Sequence, residues 1–365
     1  MKFIGLDMNY RQCFYRSLIS IILLSSLSAC SSIDYFAHLA KGQMSLFWLR
    51  EDVNELLESD DISPELKSRL ILSQQVREFA LTQLKLPLGD AYTSYSDLER
   101  PYVVWNVYAA PELSFESYTW CYPFLGCLAY RGYYDEARAQ RAGNILEDQG
   151  YEVKVGGVQA YSTIGFFDDP LLNTFMFKHE VAFVELLIHE ISHRKLYIKD
   201  DTKFNENFAT AVATLGAEQW YRLAGNESLF EGYQKQKKLH QALVGFMLGY
   251  KDQLSKIYED ESKSEANKKA LKKEVYTLMN QHFEVVKVEH NLDDRYDRWV
   301  YSMNNASLSA LANYQELVPG FIALFHQQKG DWSDFYEQVE RLSELEKELR
   351  HQTLVDLAQQ STSNL

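Results

Sequence analysis

His189, Glu190 and His193 stand in the order His-Glu-x-x-His. In an α-helix, residues four apart lie one above the other, so both imidazoles can reach a single ion, and Zn2+ suits that geometry. Glu190 is turned about 100° round the helix from His189. It is out of the ligand row but placed to take a proton from an attacking water, the work of a general base. The run before it, Val181 to Ile188, is apolar apart from Glu185, as expected of a buried helix that holds ligands rigidly.

A catalytic zinc needs a third protein ligand and an open position. Leu196 and Lys199 stand where the metzincin pattern has Gly and His, so the next candidate is Glu206. Asp200-Asp201-Thr202 can cap a helix start, and apolar spacing resumes through Phe204, Phe208, Val212 and Leu215. A tight turn therefore joins two helices. Glu206, Thr210 and Ala213 share a face of the second, among small residues that allow close approach. Glu185, one turn before His189, is a candidate for orienting an imidazole, or for a surface or capping role, and Thr210 for orienting Glu206. A His-Glu-x-x-His string arises by chance on the order of once in a hundred chains of this size. Here charged residues recur at helical spacing in an apolar helix, where an unpaired buried charge is costly, which favours a metal as their partner.

The segment from His189 through Lys199-Asp-Asp-Thr-x-Phe-Asn-Glu206-x-Phe-Ala-Thr resembles the aminopeptidase family of bacterial lipoproteins, a gluzincin-like group. So do Val104-Trp-Asn-Val-Tyr-Ala-Ala-Pro-Glu112, Cys121-Tyr-Pro-x-x-Gly-Cys127, Tyr130-Arg-Gly-Tyr133, Gly156-Gly-Val-x-Ala-Tyr-Ser-Thr163 and Asp168-Asp-Pro-Leu-Leu-Asn-Thr174. The likeness spans about residues 30 to 325 and implies a zinc-dependent peptidase. Tyr314 lies in a further family-like stretch and is a candidate for the phenol that stabilises the oxyanion, with packing as the alternative. Glu112 and Asp168 are candidates for the acidic group that would hold a substrate's free α-amine. Gly156 to Pro170 is read either as an edge segment for substrate backbone or as a structural loop.

The start of the chain reads as an export signal. Lys2, Arg11 and Arg16 precede a short apolar run, Leu18 to Leu27, and Leu27-Ser-Ala-Cys30 is similar to a lipobox in which Cys30 is lipidated. An ordinary signal peptide with an accidental Cys is the alternative, and Met8 is an alternative start. Ser31 after the Cys, by resemblance to lipoprotein sorting, points to the outer membrane facing the periplasm. Removing residues 1–29 takes the formal charge from −14 to −16, and so acidic a body argues against nucleic acid as a partner. At 46% apolar and 14% aromatic residues the chain is folded rather than disordered.

Of the four cysteines, Cys121 and Cys127 remain in the mature body, where an oxidising periplasm permits a disulfide. Zinc binding by the pair competes, but a separation of six without a second pair is not the usual zinc spacing.

The expected fold is α+β and predominantly α-helical. After the signal (1–29) comes one domain, 30–365: N-terminal helices over 30–100, a small α/β element over 101–178, zinc-binding helices over 179–225 and a helical region over 226–365. Within it, 34–58 and 64–85 read as helices, Tyr102 to Tyr108 as a strand partnered by Ser114 to Trp120, and Trp332 to about Leu357 as one terminal helix. The implied activity is hydrolysis of a peptide substrate, by an aminopeptidase that is anchored to the envelope, with endopeptidase action as an open alternative. A non-catalytic lipoprotein stapled by zinc and binding envelope partners is the rival, and hydrolysis of a non-peptide amide is chemically equivalent from sequence. Oligomeric state is not legible.

Overall fold

The structure is a computed structural model that describes residues 34–122, 126–160, 168–292 and 294–363, without the side chains of 295, 313–315, 362 and 363. Cys30 and the side chain of Tyr314 therefore lie outside the described residues. By internal contacts the chain divides into Met1–Leu49 and Arg50–Leu365. The described part of the first unit is helix α1 (34–48).

The second unit begins with strand β1 (Glu51–Asp52), helices α2 (Val53–Glu58) and α3 (Pro64–Thr82), and strands β2 (Ser94–Ser96) and β3 (Val104–Pro111). Strands β4 (Trp120–Tyr122), β5 (Gly126–Leu128) and β6 (Arg131–Tyr133), helix α4 (Glu136–Asp148) and strands β7 (Tyr151–Val158) and β8 (Leu171–Leu172) follow. The rest is helical. It comprises α5 (Asn173–Met176), α6 (Glu180–Ser192), α7 (Thr202–Leu223), α8 (Glu227–Glu259), α9 (Glu265–Glu289), α10 (Asp297–Tyr301), α11 (Asn305–Gln315), α12 (Val318–Gln327), α13 (Trp332–Ser343) and α14 (Lys347–Ser363). The fold is thus α+β and predominantly helical. Among the described residues no helix is long and apolar enough to cross a membrane.

Three small sheets have the orders β1-β2-β8, β6-β3-β7 and β4-β5. Strand β3 is β-branched and aromatic, as strands favour, and pairs antiparallel with β6 and along its whole length with β7. Helix α4, capped by Asp135 and ended at Gly150, packs on that sheet.

Helices α6 and α7 pack against each other at the centre, with α3 and α8 on α6 and with α8, α11 and α12 on α7. The apolar residues of α6 from Val181 to Ile191, Ala182 and Leu186 apart, are buried. Gly216 permits the close approach, since a Cβ there would stand 3.3 Å from Ile188 and 2.7 Å from Leu84. Phe208, on α7, packs against Phe321, Phe335 and Tyr336, with ring centroids 5.9 to 6.3 Å away. Burying each such ring contributes about 1.5–3 kcal/mol.

Three local expectations are corrected. The predicted helix 34–58 is interrupted by β1, after which Asp52 caps α2 by accepting from the Asn54 amide at 2.8 Å. Strand β3 takes β6 and β7 as partners instead of Ser114 to Trp120, whose backbone bonds to it are Ser114 N–H to Pro111 C=O, at the turn, and Tyr118 N–H to Ala109 C=O. The terminal helix is two, α13 and α14. Arg350, from α14, donates to the Ser343 carbonyl and satisfies the end of α13, so the break is stabilised where helical periodicity alone would run on.

Candidate active site

His189 and Glu190 stand in the last turn of α6, and His193 is its C-cap. His193 keeps helical dihedrals (φ −62°, ψ −19°), so the four-residue spacing holds across the helix end. The two Nε2 atoms are 3.2 Å apart, and the rings meet edge to face. Glu206 reaches in from the second turn of α7, its Oε2 lying 3.4 Å from His189 Nε2 and 3.7 Å from His193 Nε2. One ligand atom from each of the three falls within 4.8 Å of the others. Their side chains keep between 10% and 16% exposure, and among the described residues no fourth His, Cys, Asp or Glu joins the group.

Burial alone would lower His189, but its bond to Glu206 and the charges of Glu190, Glu206 and Glu185 hold it above its ordinary value. Burial pushes His193 down to about 4, with Glu206 opposing. Burial would raise Glu206, yet the two imidazoles hold it below the usual carboxylate range. A cluster that draws a proton onto His189 is short of positive charge. A divalent cation held by the same three atoms would supply that charge, so the donor set fits one. Glu190, buried and close to Glu206 and Asp169, is pushed up to about 7 chiefly by desolvation, with His189 opposing. A carboxylate in that range can exchange a proton near neutrality.

Residues 193–201 join the two helices, and side chains fix their path. Asp201 caps α7 by accepting from the Phe204 amide at 3.1 Å. Asn205 bonds both the N–H and the C=O of Ile198 at 2.8 Å. Asn207 accepts from the Leu317 and Val318 amides, tying α7 to the start of α12. Asp201 is gripped from α14 by Arg350 at 3.0 Å and by His351 at 2.9 Å. Sequence reasoning found the Asp201 cap but passed over the other holders. Two asparagines flanking Glu206 inside a helix were a signal, because Asn favours side-chain bonds to backbone over helix interiors. Nothing local marks Arg350 or His351.

The other candidates are placed as follows. Thr210 approaches His189, its hydroxyl 3.5 Å from Nδ1, which corrects the expectation that it orients Glu206. An oxygen on the far nitrogen of a ligating imidazole fixes the ring. Glu185 is buried, which rules out a surface role, and it pairs with Lys237 while accepting from Tyr233 at 2.9 Å, both on α8. The Glu112 carboxylate pairs with Lys269 at 2.8 Å and that of Asp168 with Arg194 at 3.5 Å, so each already has a cationic partner. In the segment from Gly156 to Pro170, Gly156 and Gly157 belong to β7, an outer strand of its sheet, while residues 161–167 lie outside the described residues. Asn304 occupies the Val153 carbonyl of that strand.

A disulfide joins Cys121 to Cys127 across β4 and β5. The Cys127 N–H donates to the Asp200 carboxylate, in the turn between α6 and α7. The site's carboxylates act electrostatically on two tyrosines not anticipated from the sequence. Tyr130 is raised by burial and then by Glu206, Tyr108, Tyr197 and Glu190; Tyr197 is raised by burial, Asp200 and Glu206.

A family model described as "Putative aminopeptidase" matches residues 34–354, so the chain belongs to that family. No curated protein and no solved structure matches it significantly.

Proposed function

We propose that this member of the aminopeptidase family is a zinc-dependent aminopeptidase of gluzincin type, anchored to the bacterial envelope through a lipid on Cys30. The observation that carries the catalytic reading is the convergence of His189, His193 and Glu206 from two helices, with the buried carboxylate of Glu190 beside them. A zinc ion held by those three residues would polarise the scissile carbonyl and acidify a water. Glu190 accepts the proton released as that water attacks, and passes it to the departing amine. Its place in the neutral range suits both halves of the transfer. Thr210 holds the His189 ring, and the Asp201 cap holds the turn from which Glu206 projects. A group of three, with no fourth candidate among the described residues, favours catalysis over a stapling role, since a structural zinc closes with a fourth protein ligand. The anchoring part of the reading rests on the charged and apolar pattern before Cys30.

The test is amino-acid release from short peptides, free and N-blocked, by the zinc-loaded mature chain, beside Glu190→Gln. Free peptides are cleaved and blocked ones are not; the variant keeps its zinc and loses about 10²–10⁴ in kcat. Cleavage of blocked peptides would make the protein an endopeptidase. A folded, zinc-loaded chain that cleaves no peptide would overturn the catalytic reading. In cells, Cys30→Ser leaves the membrane fraction; retention there would remove the lipid anchor.

A further inference from the structure

Helix α1 (34–48) presents an apolar face to solvent. At about 100° per residue, Phe36, Ala37, Ala40, Met44 and Trp48 fall within an arc of about 120°, and all five are exposed. Trp48 is 81% exposed, and Phe36 and Met44 are each 47% exposed. Tyr35, Gly42 and Leu46, roughly opposite, are buried. Asp34, Lys41 and Ser45 are exposed along one border of the arc, and none stands within it. An apolar stripe with a polar border, carrying a Trp, is the pattern of a helix that lies in the surface of a bilayer. From 34 to 48 the helix rises about 22 Å, short of the roughly 30 Å of a hydrocarbon core. It can lie along a membrane but not cross one.

The position of α1 in the chain identifies what covers this face. Its first residue follows Cys30 by four, a stretch that reaches at most about 14 Å. A lipid on Cys30 therefore holds the start of the helix at the headgroups. The exposed charges of α1 are Asp34 and Lys41, one of each sign, and the whole chain carries −14. Anionic lipid offers such a surface no electrostatic attraction. Insertion of the apolar side chains is the interaction that the face can make.

We propose that the face of α1 formed by Phe36, Met44 and Trp48 is a membrane-docking surface that inserts at the headgroup boundary. It supplies a second attachment beside the acyl chain, by burial of apolar area. The inference rests on the lipid-anchor reading above, and its test separates the two. Phosphatidylcholine vesicles with brominated acyl chains quench a tryptophan that enters them. Lipid-bearing protein extracted from membranes is reconstituted into these vesicles, and lipid-free mature chain is mixed with them at about 1 mM lipid. Wild type, Trp48→Phe and the pair Phe36→Gln with Met44→Gln are compared, with the molar mass of each lipid-free chain measured in solution.

Emission of the lipid-bearing wild type is quenched, and that of the lipid-free chain less so, equally at about 0.1 and 0.5 M salt. Trp48→Phe removes the quenching. The Gln pair cuts it at least about twofold in both forms and melts as wild type does, because the replaced side chains are exposed. Quenching that persists in Trp48→Phe, or none in the lipid-bearing wild type, would overturn the docking surface and leave the lipid anchor standing. A dimer in solution that the Gln pair dissociates would give the face to a second copy of the chain instead. Trp48-dependent quenching of the lipid-free chain, with no acyl group on Cys30 by mass spectrometry, would remove the anchor and keep the surface. Neither acyl group nor quenching would overturn both.

Discussion

Asp201 shows how much one buried carboxylate can hold. Its side chain is fully enclosed, caps α7 through the Phe204 amide, and pairs with Arg350 and His351 of α14. Burial alone would raise it, but the His351 bond and charge, the Phe204 amide and Lys347 hold it below its ordinary 3.8. A carboxylate lowered on folding adds stability that is complete above its unfolded value, about pH 4. That stability is lost as pH falls through the lower folded value. Asp201→Asn removes the contribution and leaves Arg350 without its ion pair, so at pH 7 it is less stable by about 3 kcal/mol. Below about pH 4 the two proteins converge. Urea midpoints from pH 3 to 7 read this directly, and parallel curves would refute it. The cap was legible in the sequence, since Asp200-Asp201-Thr202 precedes an apolar helix. Its partners were not, because His351 lies 150 residues away and only the fold brings it near. The same divide separates His189, Glu190 and His193, fixed by local spacing, from Arg350, which only the fold brings to Asp201.

At the scale of elements, the helices that carry the ligands were readable because each presents a 3.6-residue pattern and a cap. Strand partners were not. Ser114 to Trp120 was the expected neighbour of β3, and its pairing with β7 follows from α4 returning the chain beside it, a non-local outcome that propensity does not encode. The β4–β5 hairpin is the clearest case. Its cysteines suggested a disulfide, while its seat on the turn between α6 and α7 emerges only from Asp200 and Gly126. Opening that disulfide with the pair Cys121→Ser and Cys127→Ser frees a short loop worth about 2 kcal/mol in chain entropy. The candidate ligands stand on α6, at its C-cap and on α7, so zinc content is retained while kcat falls at least about tenfold, as the hairpin seated on the turn loosens beside the cluster. Zinc content and turnover measured on the same sample, with dithiothreitol-treated wild type alongside, check the split. Parallel loss of zinc and activity would mean that the hairpin supports the ligand helices instead.

Across the whole molecule, buried polar groups join parts of the chain that sequence distance separates. Asn305 on α11 accepts from Tyr258 and Tyr276 and donates to the carbonyls of Pro111, Glu112 and Ser114, while Glu152 of β7 accepts from its amide and pairs with Lys272. The sheet is thereby fixed to the C-terminal helices. Helix α14 performs the corresponding role for the candidate metal cluster. It packs on α12, with Leu354 fully buried, and sends Lys347 to the Asp200 carbonyl and Arg350 and His351 to Asp201. A helix that supplies no ligand should therefore govern metal affinity, because the turn it holds sets where Glu206 begins. Arg350→Met with His351→Phe preserves apolar packing along α14 but releases Asp201. Zinc binding by this variant weakens about 10–100-fold in competition with a chelator. Leu354→Ala costs about 2–5 kcal/mol in stability yet leaves the grip on Asp201, so its folded form binds zinc within about threefold of wild type. Unchanged zinc affinity in the first variant, or equal weakening in both, would reduce α14 to a packing element and leave the local His-Glu-x-x-His helix as sufficient for the site.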